Sequence, residues 1–140
     1  MKTSSKKAKG RTLQHWACKK IAELYNIDFD QQNDQCPIHS RDMGQQGTDV
    51  LIRNKELYEH FIYDLECKNT ETISVYSYIE QAKANTKEGR QWCVVHKKNR
   101  GKPIVIIDGD HFFELLRNTY ETKSLIAEIK QKGEEPLIRK

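Results

Sequence analysis

The chain has 140 residues and a mass of 16.4 kDa, which matches one domain with a single hydrophobic core. Charged residues make up 31% of the chain, and no apolar run approaches the ~20 residues that cross a bilayer, so the composition excludes a membrane protein. The formal net charge is +4, and every charged residue before Glu23 is basic, which favours a polyanionic partner.

The N-terminus carries positive charge but lacks the apolar segment of a signal peptide, so a cytoplasmic location is expected. The four cysteines are too sparse for a disulfide scaffold, and a cytoplasm keeps thiols reduced. Four free thiols are therefore predicted, at Cys18, Cys36, Cys67 and Cys93.

The first third of the chain divides into a tail, a helix and a long loop. Residues 1–10 are predicted to form a basic, flexible tail. Residues 12–25 are predicted to form an amphipathic helix, because apolar residues recur there at helical spacing. Residues 26–48 are rich in Asp, Gln, Asn and Gly, which predicts a loop. A loop of this length in a compact domain is usually functional or mobile.

Strands and helices alternate in the remainder. Short strands are predicted from Asp49 and over residues 61–68, followed by a helix over 75–86. Two further strands are predicted over residues 91–97 and 103–108, with a basic turn between them. This order of elements indicates an α/β or α+β fold, with a mixed sheet flanked by helices.

The C-terminal part is expected to be helical at first and then less ordered. Asp110 is predicted to cap a helix. Residues 121–140 are charged and are predicted to form a weak helix and a tail. A single domain over residues 11–120 therefore lies between two charged terminal segments.

Two acidic residues and a lysine form a candidate catalytic set. Side chains alternate along a strand, so Glu66 and Lys68 share one face, and Asp49 on the preceding strand can approach Glu66. Carboxylates that bind Mg²⁺ provide the activated water and the charge neutralisation that phosphodiester cleavage requires. The backbone carbonyl of Cys67 is a candidate further metal ligand.

These residues resemble a known nuclease motif. GTDV at 47–50, followed by ECK at 66–68, is similar to the bipartite PD-(D/E)xK motif. The blocks KGRTLQHW, SRDMGQQGTDVLI, ECKN and YIEQAKAN, in this order, resemble phage-encoded PD-(D/E)xK proteins described as Holliday junction resolvases. The similarity covers about residues 9–116. Gly47 and Thr48 depart from the motif, which commonly has Pro there, and Gln14 stands where archaeal resolvases have a glutamate.

The resemblance implies a fold, an activity and partners. It implies a restriction-endonuclease-like core and a DNA endonuclease that depends on Mg²⁺, with Mn²⁺ as a substitute. The substrate would be branched or four-way-junction DNA, cut by a homodimer in a host cytoplasm. Asp49, Glu66 and Lys68 would be catalytic, and Gln81 would support the water or the metal from the following helix. Whether a further acid such as Glu23 joins the metal stays open.

The candidate DNA contacts are mainly basic. Lysine and arginine side chains attract the phosphate backbone. The candidates are Lys6, Lys7, Lys9, Arg11, Lys97, Lys98 and Arg100. Ser40 and Arg41, in the loop before the first acid, are candidates by resemblance, and ordinary loop contacts explain them equally well.

Other interpretations remain open at this point. The pairs His15/Cys18, Cys36/His39 and Cys93/His96 have zinc-ligand spacing, although strand alternation separates the last pair. A DNA-binding module without catalysis would account for the basic clusters alone. Among nucleases, the motif does not separate junction resolution from non-specific cleavage or nicking in DNA repair or packaging.

Overall fold

The computed structural model describes residues 3–133, with side chains from Ser5 onward. The ends of the predicted terminal segments, residues 1–2 and 134–140, lie outside the described residues. The chain forms two compact units, Met1–Ile106 and Ile107–Lys140. The predicted boundary at residue 120 therefore lies inside the second unit.

Helix α1, Thr3–Leu24, extends much further toward the N-terminus than predicted. Residues 3–10, predicted as a flexible tail, form its first turns. The apolar stripe along the helix is buried at Leu13, Ala17 and Ile21, and it packs against β1 (Ile38–Ser40) and β3 (Tyr63–Asn69). This packing gives the helix a stability that its propensity alone does not supply.

The chain forms a two-stranded antiparallel sheet after α1 and before the main sheet. Strand β1 pairs with β2 (Val50–Ile52), with Ile38 opposite Ile52. Strand β1 falls inside the stretch predicted as loop, so the loop prediction was wrong for residues 38–40. Helix α2, Lys55–His60, follows β2, and the Asn54 side chain caps it by accepting a hydrogen bond from the Leu57 N–H.

The main sheet is mixed and has three strands. Strand β3 pairs in parallel with β4 (Gln91–Lys97), and β4 pairs in antiparallel fashion with β5 (Ile104–Ile106). Helix α3, Val75–Asn85, makes the crossover that a parallel strand pair requires. The first unit is thus an α+β arrangement, with small sheets and flanking helices, and β4 has the predicted bounds.

The core of the first unit contains apolar side chains and all four cysteines. Leu13, Ile38, Val94 and Val95 are at most 2% exposed. Cys18, Cys36, Cys67 and Cys93 are buried as free thiols. Burial raises the pKa values of the Cys18 and Cys93 thiols to about 12, which leaves both groups protonated and unreactive near neutral pH.

The second unit contains helix α4, Gly109–Gln131. Its cap is Asp108 rather than the predicted Asp110, because the Asp108 carboxylate accepts the hydrogen bond from the His111 N–H at 3.0 Å. The helix continues well past residue 121, where a weak helix was expected. Within residues 3–133, no helix combines the length and the apolar character needed to cross a membrane.

Candidate active site

The segment that carries Asp49 is bound to the edge of β3. The Asp49 N–H donates to the Leu65 carbonyl at 2.8 Å, and the Asp49 carboxylate accepts from the Cys67 N–H at 2.7 Å. The Thr48 hydroxyl accepts from the Leu65 N–H at 3.0 Å and donates to the Leu65 carbonyl at 3.2 Å. Residues 48–49 therefore satisfy backbone groups of β3 that no neighbouring strand reaches, and this fixes the position of Asp49.

Glu66 and Lys68 lie side by side on β3, as the alternation predicted. Glu66 is 4% exposed, and its Oε1 lies 3.3 Å from Lys68 Nζ. The Asn85 amide, on α3, donates to Glu66 Oε2 at 3.5 Å. Both carboxylate oxygens of Glu66 thus have a polar neighbour, which a buried carboxylate requires. Asn85 was not among the predicted site residues.

Asp49, Glu66 and Lys68 meet in one pocket of about 640 Å³. Asp49 and a stretch of β3 form one side of it, and α1, the loop of residues 42–47 and α3 form the others. Besides that loop, its lining residues are Gly10, Gln14, Asp49, Glu66, Cys67, Lys68, Gln81, Ala84 and Asn85. The structure therefore brings together all four residues that the sequence predicted to be catalytic, including Gln81 on α3.

The pocket is short of positive charge. The pKa of the Asp49 carboxyl is raised from 3.8 to about 6, first by its burial and then by the neighbouring Glu66 carboxylate. The Cys67 N–H, Lys68 and Arg41 lower it again by smaller amounts. Two carboxylates in a desolvated site repel each other unless a cation joins them. Lys68 is the basic residue among those that line the pocket, and it lies beside Glu66.

Gln14 presents an unpaired oxygen to this pocket. The residue lies on α1, is 5% exposed and lines the pocket, and its Oε1 is buried without a hydrogen-bond partner. Leaving a buried acceptor unsatisfied costs about 1–3 kcal/mol. The sequence offers two signals for Gln14: it is a polar residue beside the apolar stripe of α1, and it stands where the resembling archaeal resolvases have a glutamate. Glu23, in contrast, lies on an exposed part of α1, where it pairs with Lys20.

Arg41 and Gly47 shape the turn that leads to Asp49. The Arg41 guanidinium donates through Nε to the Thr48 carbonyl at 2.6 Å, and the Arg41 N–H donates to the Asp49 carbonyl at 2.9 Å. Gly47 has a φ of +121°, and a Cβ there would lie 2.7 Å from Arg41 Cζ. Arg41 is thus engaged with the backbone of this turn. Ser40, the other loop candidate, is 6% exposed in β1.

Asp64 shares the strand face of Glu66 but belongs to a separate ion pair. Its carboxylate accepts from Arg90 Nε and from the Lys87 N–H, both at 2.9 Å. The Arg90 guanidinium also donates to the carbonyls of Tyr58 and Phe61 at 2.7 Å. This buried network connects the chain after α3 to the start of β3, and it leaves Asp64 fully engaged.

Basic residues distant in sequence come together beside α1. Lys9, Lys97 and Arg100 line a cleft of about 500 Å³, and Lys6 and Lys9 line an adjoining one of about 350 Å³ that also contains Glu71. The remaining basic candidates, Lys7, Arg11 and Lys98, are exposed but line neither cleft.

We call the larger of these clefts the basic cleft, and the pocket of Asp49 and Glu66 the acidic pocket. At two places in the chain, consecutive residues line the one and the other. On α1, Lys9 lines the cleft and Gly10 lines the pocket. On β3, Asn69 lines the cleft and Lys68 lines the pocket. Consecutive Cα atoms are ~3.8 Å apart, so the residues that line the two concavities are adjacent in the chain at both places. On β3 the side chains of Lys68 and Asn69 point to opposite faces of the strand.

The zinc interpretation receives no support from the described part of the chain. Within it, no three side chains of the His, Cys, Asp and Glu type are grouped so that they can hold a metal. His39 Nε2 bonds to the Asn33 carbonyl, Cys36 Sγ donates to the Asp28 carbonyl, and His96 Nε2 bonds to Thr70. These candidates are engaged in local contacts instead.

Comparisons of the chain with protein-family models, with curated proteins and with solved structures found no match. Its function is therefore inferred from the chemistry of the acidic pocket and the basic cleft.

Proposed function

We propose that the chain is a metal-dependent DNA endonuclease of the PD-(D/E)xK kind, with a restriction-endonuclease-like core. The observation that carries this proposal is the pocket in which Asp49 and Glu66 meet beside Lys68. The two acids share one cavity, and the Glu66 carboxylate contributes to the raised pKa of Asp49. Two acids and a lysine on one polar surface suit phosphodiester hydrolysis.

The residues of the pocket fit a magnesium ion. Mg²⁺ in proteins binds one or two carboxylates and keeps several waters, which suits the pair of Asp49 and Glu66. A third acid, Asp42, lines the same pocket from an exposed position in the loop. Asp49 and Glu66 would hold it, and the unpaired Gln14 Oε1 offers a neutral oxygen. The Cys67 carbonyl leaves β3 on the same edge as its N–H, which bonds to Asp49, so it is a further candidate ligand. Mn²⁺, with similar ligand preferences, would substitute.

A metal bound there would lower the pKa of a water molecule and neutralise charge on the scissile phosphate. The ammonium of Lys68, within reach of Glu66, is placed to orient the attacking water or to offset phosphate charge. Gln81 faces the same space from α3 and can donate or accept a hydrogen bond there. With Asp49 and Glu66 as ligands, the proton released from water would go to solvent or to a phosphate oxygen.

The basic cleft would hold the sugar–phosphate backbone next to the cleavage site. Lys9, Lys97 and Arg100 face it, and phosphate contacts of this kind position nucleic acid without reading its sequence. Because consecutive residues of α1 and of β3 line the cleft and the pocket, DNA bound in the cleft would lie close to the two acids.

A DNA-binding protein without catalysis is the second candidate, and the basic cleft is the observation that favours it. It accounts for the lysines and the arginine but not for Asp49 and Glu66 in one cavity, where burial and the neighbouring carboxylate raise the pKa of Asp49. The two candidates differ in one measurable respect, because only the nuclease cuts DNA in the presence of Mg²⁺.

We further propose four-way junctions as the preferred substrate, in line with the phage-type resolvases that the sequence resembles. A four-way junction offers two symmetric scissile strands, which a C₂ homodimer with two active sites would cut together. The test is to incubate the protein and Mg²⁺ with a labelled junction beside a linear duplex of matched sequence. Paired symmetric nicks in the junction alone are expected. Equal cutting of both substrates would leave a non-specific or nicking nuclease, and intact DNA with both Mg²⁺ and Mn²⁺ would exclude nuclease activity.

A further inference from the structure

Lys68 is held in the pocket by an aromatic ring as well as by Glu66. Its Nζ lies 5.6 Å from the centroid of the Tyr78 ring, which comes from α3. A lysine ammonium at this distance from the ring face is attracted by the ring quadrupole. The Lys68 side chain is 24% exposed, so solvent screens the contact only in part.

The Tyr78 ring is itself fixed by its neighbours. It stacks on the His96 imidazole with the centroids 6.0 Å apart and the planes 25° from parallel. Its hydroxyl lies 2.7 Å from the Thr70 hydroxyl, and His96 Nε2 accepts from or donates to the same Thr70 hydroxyl at 3.1 Å. Since His96 is paired with Lys68 in the β3–β4 register, the ring, the imidazole and the lysine form one connected group.

Glu66 alone would not keep the Lys68 ammonium in place once a metal is bound. Lys68 and a metal ion would both use the Glu66 carboxylate, so the ammonium would lose much of its ion pair when a metal binds. A lysine side chain without a partner samples many rotamers. The contact with Tyr78 does not involve Glu66 and therefore persists when that carboxylate is occupied.

We propose that Tyr78 is a positioning residue, whose ring keeps the Lys68 ammonium in the acidic pocket while His96 and Thr70 hold the ring in place. The consequence for cleavage rests on the proposed nuclease function. The placement of Lys68 does not, since it is a property of the chain without metal or DNA.

Two variants of the full chain separate the ring from its hydroxyl. Tyr78→Phe keeps the ring and loses the bond to Thr70, whereas Tyr78→Met fills the space without a ring. The matched control is Tyr76→Met, because Tyr76 lies on the same helix and is 82% exposed. Thermal unfolding of each variant shows whether it is folded.

The first measurement is the proton chemical shift of the Lys68 ε-methylene group in metal-free protein, since a ring face shifts nearby protons upfield. The upfield shift is expected in the wild type, in Tyr78→Phe and in Tyr76→Met, and it should disappear in Tyr78→Met. A Lys68 shift that is unchanged in folded Tyr78→Met would overturn the proposal.

The second measurement is single-turnover cleavage at saturating DNA. Tyr78→Met should be slower by about tenfold, which corresponds to a cation–π contact of ~1.4 kcal/mol, and Tyr78→Phe by no more than ~3-fold. A wild-type rate in Tyr78→Met would also overturn it. If the wild type cuts no DNA but the shift pattern holds, the nuclease function fails and the placement of Lys68 by Tyr78 stands.

Discussion

The Asp49 carboxylate accepts a 2.7 Å hydrogen bond from the backbone N–H of Cys67. Cys67 lies between Glu66 and Lys68 on β3, so this one bond ties the first acid to the strand that carries the second acid and the lysine. The pocket thereby has a defined arrangement of charges before any ligand binds. Such preorganisation lets a site stabilise a transition state without first rearranging.

The raised pKa of Asp49 predicts how Asp49→Asn affects stability. The pKa of Asp49 is higher in the folded state than in the unfolded state, so the protonated group stabilises the fold at pH values below the unfolded pKa. This contribution is lost as the pH rises through the folded value of about 6. The asparagine does not ionise and can still accept the Cys67 hydrogen bond. Asp49→Asn should therefore be more stable than the wild type above pH 6, by up to about 3 kcal/mol, and the difference should shrink between about pH 6 and pH 4.

Urea unfolding at several pH values measures this difference. Asp34→Asn is the control, because Asp34 is exposed and does not line the pocket. If the stability difference between Asp49→Asn and the wild type does not vary with pH, the pKa of Asp49 is not raised.

The same group predicts the pH dependence of cleavage. Asp49 must be ionised to hold a metal, so the cleavage rate should rise with pH through about 6 at low Mg²⁺. More Mg²⁺ should move the midpoint to lower pH, since the metal competes with the proton for the carboxylate. Rate profiles at two Mg²⁺ concentrations test this, and a midpoint that is insensitive to Mg²⁺ would argue against Asp49 as a ligand.

Gly47 should be more sensitive to substitution than Gly44. Both have positive φ angles, +121° and +89°, so an alanine at either position is strained by about 1–2 kcal/mol. A Cβ at Gly47 would also displace the Arg41 guanidinium, whereas Gly44 has open space around it. Arg41 would then lose its bond to the Thr48 carbonyl, next to Asp49.

We therefore expect Gly44→Ala to lower the free energy of unfolding and to leave the cleavage rate nearly unchanged. Gly47→Ala should lower the free energy of unfolding further and should also lower the cleavage rate. Unfolding curves and cleavage rates of the two variants provide the comparison. Equal effects of both substitutions would show that the Arg41 contact does not position Asp49.

The basic cleft predicts a change in the salt dependence of DNA binding. Each phosphate contact contributes about 0.9 to the slope of log K against log salt concentration on duplex DNA. Lys97→Gln combined with Arg100→Gln should weaken duplex binding and reduce that slope by up to about 1.8. Lys123→Gln combined with Lys130→Gln, on exposed positions of α4, removes the same charge and should change the slope less. Equal slopes for the two double variants would place the DNA elsewhere.

Local patterns in the sequence were sufficient for much of the fold. The strand predicted over residues 91–97 has the bounds of β4, and the helical spacing after Val75 predicted α3 within one residue. Strand β1 was missed because its three residues lie among polar and turn-forming ones, and its pairing with β2 is a tertiary contact. The helical start of α1 was missed because repeated lysines carry no apolar periodicity.

Residues of the candidate site were predictable where their spacing along a strand sets their arrangement, and less so where the packing of a helix sets it. Strand alternation placed Glu66 beside Lys68, and the motif added Asp49 and Gln81. The position of Gln14 was marked by the resemblance. Asn85 faces the pocket from α3 and was missed, because a polar residue on a helix does not reveal which neighbour it faces. Tyr78 likewise resembles any aromatic residue of a half-buried helix until its distance to Lys68 is known.

Cleavage by acid-to-amide variants tests the central claim most directly. Wild type, Asp49→Asn and Glu66→Gln are incubated with labelled four-way-junction and duplex DNA in Mg²⁺, and DNA binding is measured in parallel without metal. We expect cleavage by the wild type, a rate at least ~10²-fold lower in either variant, and binding within a few-fold of wild type in all three. Cleavage that survives both substitutions would contradict the assignment of Asp49 and Glu66, as would a wild type that binds DNA but never cuts it.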